Sequence, residues 1–133
     1  MTDRQIYAWI FLSVSDFQQP ASLEDVIAVA DFINHAIPMP KELQISFGWL
    51  QAQKLVRKER EKYLLTEVGL ALRKSVAHRS IQKIWEVMTT KFLQLPEIEF
   101  QPENITEAEV TSAYKKYRIA ITKSKRKCQN LKK

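Results

Sequence analysis

Apolar residues recur along this chain mostly with the period of helices, interrupted once by two short strand-like runs. The first stretch, residues 3–15, is apolar on nearly every face (Ile6, Tyr7, Trp9, Ile10, Phe11, Leu12, Val14). Such a helix sits inside a core or between subunits. Asp16-Phe-Gln-Gln-Pro20 ends it, and Ser22, with Glu24 and Asp25 in the first turn, opens a second helix over residues 22–35. That helix buries Leu23, Val26, Ile27, Ala30 and Ile33 and turns Glu24, Asp25 and Asp31 to water. Pro38-Met-Pro40 breaks it. Pro40 suits the first turn of a third helix that runs to about Lys54, with Leu43, Phe47 and Leu50 as its inner stripe.

Residues 55–65 read as a short strand, a charged tip and a second short strand. Thr66 caps a fourth helix ending near His78, and Ser80 caps a fifth whose stripe is Ile81, Ile84, Trp85, Met88 and Phe92. Pro96 and Pro102 bracket an acidic connector. A sixth helix over residues 105–121 places Val110, Ala113, Tyr114, Tyr117 and Ile121 on one face. Residues 122–133 are polar and basic, and are expected to be frayed or disordered. The chain therefore divides into residues 1–78, a helical extension over 79–121 that packs on them or serves dimerisation, and a flexible basic tail over 122–133.

The order helix, helix, proline turn, helix, two strands around a charged tip, helix resembles the winged helix-turn-helix. The residues that carry the likeness are Pro40-Lys-Glu-Leu43, Phe47, Leu50, Leu55-Val56 and Tyr63-Leu-Leu-Thr66-Glu-Val-Gly69. They are similar to the third helix, wing and following helix of MarR-type and PadR-type regulators. The resemblance covers residues 3–78 and departs at Lys54, where many relatives place a helix-ending glycine, and at a wing tip without glycine. It implies a mainly α fold, a three-helix core plus a two-stranded wing with additional C-terminal helices, and employment as a DNA-binding transcriptional regulator.

Composition narrows the alternatives. Two glycines in 133 residues leave no Gly-rich phosphate loop, and one cysteine, Cys128, leaves no internal disulfide or CxxC site, as suits a reducing cytoplasm. The longest apolar run, Ile6 to Val14, is far short of a membrane span, and with Asp3 beside Arg4 it lacks the leader of an export signal. A cytoplasmic protein without a membrane partner is expected. His35 and His78 show no metal-ligand spacing, so neither an enzyme nor a metal or other cofactor is expected.

Charge is segregated. Residues 1–53 hold two basic and six acidic side chains, residues 54–91 ten and four, residues 92–114 none and five, and residues 115–133 nine and none. Basic blocks of this kind suit polyanions, double-stranded DNA first.

Projected at 100° per residue, the third helix has Leu43, Phe47 and Leu50 inside and a polar strip of Lys41, Gln44, Gly48 and Gln51. Gln44 and Gln51 have the chemistry to pair with adenine. A second apolar strip, Ile45, Trp49 and Ala52, either packs internally or contacts a second subunit or another protein. The wing offers Arg57, Lys58, Arg60 and Lys62, interleaved with Glu59 and Glu61, and the tail offers Lys123, Lys125, Arg126, Lys127, Lys132 and Lys133. Glu97, Glu99 and Glu103 read as surface charge. Two functions fit: a DNA-binding regulator, possible as a homodimer, or a protein-interaction or assembly module without DNA binding. Burial of Trp49 discriminates, because the second rests on that side chain being open.

Overall fold

The computed structural model describes residues 1–131, with side chains as far as Lys125. Thr2 opens the first helix, α1 (Asp3–Ser15), by reciprocal capping: its hydroxyl accepts from the Gln5 N–H while the Gln5 side chain accepts from the Thr2 N–H at 2.7 Å. Ser22 and Asp25 do the same for α2 (Leu23–Asn34). Pro40 stands at the first position of α3 (Pro40–Ala52), as expected from its missing amide hydrogen. Every residue of α1 from Tyr7 to Val14 is buried, so this helix is the axis of the core. Trp9 reaches across to α2, where its indole N–H donates to the Ala30 carbonyl at 2.9 Å.

Strands β1 (Val56–Glu59) and β2 (Lys62–Leu65) pair antiparallel, Val56 opposite Leu65 and Glu59 opposite Lys62. Tyr63 fixes the hairpin to the body. It exchanges two backbone hydrogen bonds with Ala21, and its ring stacks on Phe47 of α3 with centroids 3.8 Å apart. Thr66 then caps α4 (Glu67–Lys74), which stops at Lys74, short of the expected end near His78.

Glycine is missing from the places where the backbone turns left-handed. His35, Lys54, Arg60 and Glu61 all have φ between 49° and 65°. Arg60 and Glu61 form the two-residue hairpin tip, a position that favours Asn-Gly. Lys54, where the helix-ending glycine of related sequences is absent, holds the left-handed turn between α3 and β1. A side chain there costs about 1 kcal/mol relative to glycine. Lys54→Gly is accordingly expected to raise the unfolding free energy by roughly 0.5–1 kcal/mol after glycine's greater freedom in the unfolded chain is subtracted, read as a higher urea midpoint at unchanged slope.

The fifth helix, α5 (Ile81–Leu93), lies against α1 and closes the core, with Phe92 edge-on to Phe11 and the Trp85 indole donating to the Gln5 carbonyl at 2.8 Å. The last helix, α6 (Glu107–Leu131), packs on α2. It continues ten residues beyond the expected end at residue 121, so the backbone of 122–131 is helical rather than frayed. Nothing after Thr106 breaks it: residues 107–131 contain neither glycine nor proline and are rich in lysine, arginine and alanine. The architecture is mainly helical with one small antiparallel sheet.

Candidate nucleic-acid interface

The third helix is at least partly covered along both strips that the sequence offered as open surface, Lys41 excepted. Leu43, Phe47 and Leu50 are in the core as expected. Trp49 is 1% exposed: it stacks on Tyr7 with centroids 4.8 Å apart and lies 5.1 Å from Phe92, while the Arg4 guanidinium sits 4.7 Å over its ring. Ile45 and Ala52 are half-buried. Of the two readings left open for the strip Ile45, Trp49, Ala52, Trp49 takes the internal one, packed between Tyr7 of α1 and Phe92 of α5.

The polar strip is covered by a different segment. Residues 94–106 join α5 to α6 without regular structure and lie across α3 as a strap. The Glu103 N–H donates to the Gln44 carbonyl at 2.8 Å, and the Gln44 side-chain amide donates to the Ile105 carbonyl at 2.6 Å. The Gln51 amide donates to the Glu103 carboxylate, and the Lys58 ammonium lies 3.5 Å from that same group. Between the two glutamines, Gly48 leaves the room the strap needs, since a Cβ there would stand 2.2 Å from the Gln101 carbonyl oxygen. Gln44 and Gln51, the candidate adenine readers, therefore have partners within the protein. Lys41 alone of the polar strip stays exposed. Glu97 and Glu99 are exposed as expected, but the Glu103 side chain is only 12% exposed and is not surface charge. One signal for this was in the chain: a glycine inside a helix costs about 1 kcal/mol and marks close backbone approach.

On the hairpin, Arg57 lies 3.6 Å from Glu59 and Lys58 bridges Glu61 and Glu103, each at 3.5 Å. Arg60 and Lys62 are exposed with no carboxylate in reach among the described residues. The tip is therefore less cationic than its four basic residues suggest.

The last helix carries five cations among its described side chains. Thr106 caps it by accepting from the Glu109 N–H at 3.1 Å, and Val110 and Ala113 bury its inner face. The Tyr117 hydroxyl donates to Asp31 at 2.7 Å, locking α6 to α2. Burial first, then this hydrogen bond, pushes the Tyr117 phenol up to about 12. Lys115, Lys116, Arg118, Lys123 and Lys125 are all exposed, and none has a carboxylate within ion-pair distance among the described residues. At 100° per residue Lys115 lies opposite Val110, Ala113 and Tyr117 while the other four spread to the flanks of the helix, and together they span about 15 Å of its length. The Arg118 guanidinium is steadied over the Tyr114 ring, 5.4 Å from its centroid. The side chains of Arg126, Lys127 and Cys128, and residues Lys132 and Lys133, lie outside the described residues.

Two other tyrosines report on the packing behind these surfaces. Burial raises the phenol of Tyr7, with Asp3 adding and Arg4 opposing, and burial likewise holds Tyr63 well above the ordinary range, with Glu103 adding. No group of His, Cys, Asp and Glu among the described residues is arranged to hold a metal, and no helix there is long and apolar enough to cross a membrane. No family model, curated protein or solved structure matches the chain.

Proposed function

We propose that this chain is a winged-helix protein that binds double-stranded DNA through phosphates, gripping the backbone with α6 and the hairpin tip rather than reading bases with α3. The fold-level part of the reading is supported by the order of three helices, hairpin and helix, and by Ala21 adding a bridge to the hairpin at Tyr63 as a minimal third strand. The observation that carries the function is the set of five exposed cations on α6, none of them in an ion pair among the described residues. Lysine and arginine that face water without carboxylates are free to replace the counterions of a duplex, and a rigid helix holds them at fixed spacing. Base discrimination, which a sequence-specific regulator requires, has little to use: α3 has no arginine, and its two glutamines are engaged by the strap. The protein-interaction alternative loses the open Trp49 side chain on which it rested.

The test is fluorescence anisotropy with two labelled duplexes of unrelated sequence at several salt concentrations. Similar affinity for both and a steep fall with salt are expected. Salt-independent binding, or none at low salt, overturns the reading.

A further inference from the structure

The strap across α3 is held by the same kinds of bond that a nucleic acid would make. Its acidic member, Glu103, accepts from the Gln51 amide and pairs with Lys58 of the hairpin, the two groups nearest the place where the polar strip of α3 meets β1. A phosphate oxygen asks for the same donors, an amide N–H and an ammonium. The strap is also built to leave. Proline stands at residues 96 and 102, and no helix or strand holds it between residues 94 and 106. Its backbone meets α3 and its C-cap at two residues only: Gln44, which bonds Glu103 and Ile105, and Gln53, whose amide donates to the Pro96 carbonyl at 2.8 Å. Its charge is one-sided: residues 94–106 carry three carboxylates, Glu97, Glu99 and Glu103, and no cation.

We propose that this strap is a built-in competitor, with Glu103 occupying the Lys58–Gln51 site that a duplex phosphate takes when the strap is displaced. The inference rests on the nucleic-acid reading above and adds regulation to it. In the closed arrangement the duplex meets α6 and the tip alone, while displacement adds Lys58 and Gln51 and uncovers Gly48, where a backbone can approach α3 closely. The equilibrium shifts only by the difference in affinity between the two arrangements, so weakening the strap strengthens binding. Ile105, buried against the core, anchors the C-terminal end of the segment and keeps it beside its site after release.

Two variants that each remove one negative charge from the strap separate competition from general electrostatics. Glu103→Gln keeps a hydrogen-bond acceptor for Gln51 and removes the attraction for Lys58, whereas Glu99→Gln neutralises an exposed carboxylate with no ion pair. Glu103→Gln is expected to bind a labelled duplex about fivefold tighter than the wild type or more, with Glu99→Gln gaining less. Hydrogen exchange supplies a second readout: the Glu103 amide, bonded to Gln44, should exchange faster when the wild type is saturated with duplex. If the wild type binds, but both variants gain equally and the amide keeps its protection, the strap is structural; the competitor is then overturned while DNA binding stands. If neither the wild type nor the variants bind at low salt, the functional reading fails and the competitor fails with it.

Discussion

Gly48→Ala should destabilise the protein by about 2 kcal/mol, against the trend for a helix interior. In a helix free on that side the same change would add roughly 1 kcal/mol, because alanine is the better helix former. Here the new Cβ would lie 2.2 Å from the Gln101 carbonyl oxygen and 3.0 Å from the Pro102 Cα, both main-chain atoms that no rotamer change can move. The strap must lift, taking with it the Glu103 contacts to Gln44, Gln51 and Lys58. Urea denaturation gives the sign directly, and a stabilised variant would show that no strap covers α3. Gly69 provides the comparison. Its added Cβ would meet the Leu55 carbonyl oxygen at 2.0 Å, where α4 abuts the turn into the hairpin, and that turn is also held by the Thr66 hydroxyl donating to the Lys54 carbonyl at 2.6 Å. Gly69→Ala should cost as much or more, since a packed turn yields less readily than a strap.

Replacing Lys115, Lys116, Arg118, Lys123 and Lys125 together by alanine is expected to abolish most DNA binding without unfolding the chain. Five phosphate contacts give a slope near −4.5 in log affinity against log salt, so they account for roughly 500-fold between about 50 and 200 mM. The variant should lose that dependence. Its melting temperature should hardly move, because the replaced side chains are exposed and make no ion pair among the described residues. Alanine for Arg57, Lys58, Arg60 and Lys62 should cost less per charge, since Arg57 and Lys58 already have carboxylate partners. Anisotropy titrations of the two variants against the wild type check both statements. Equal losses per charge would mean that position does not matter and that only net charge attracts the duplex.

The helices were legible because their signals are local. Ser22, Thr66 and Ser80 cap where hydroxyls precede apolar stripes, and the stripe Leu43, Phe47, Leu50 is buried as its spacing requires. The end of α6 was missed because the expectation followed burial, and burial stops near Ile121, whereas the helix is carried onward by the intrinsic preference of its residues. The strap was missed for the opposite reason. Its bonds join Gln44 to Ile105 and Gln51 to Glu103, more than fifty residues apart in each case, and no local pattern reports them. The second apolar strip on α3 carried a clue that its helix is packed from two sides, and the structure places Tyr7 and Phe92 against its Trp49.

The placement of α1 at the axis of the core has a consequence for the chain during synthesis. Its residues leave the ribosome well before those of α5, and the Gln5–Trp85 hydrogen bond spans 80 residues. At roughly 5–20 residues per second, the aromatic surface of Tyr7, Trp9 and Phe11 waits about 4–16 s for its last partners. Through that interval the nascent chain displays a strongly apolar helix covered by α2, α3, β2 and α4 but open on the side that α5 closes, which is the kind of segment that holdase chaperones bind. A product interrupted before Phe92 would retain that exposure and be prone to aggregate.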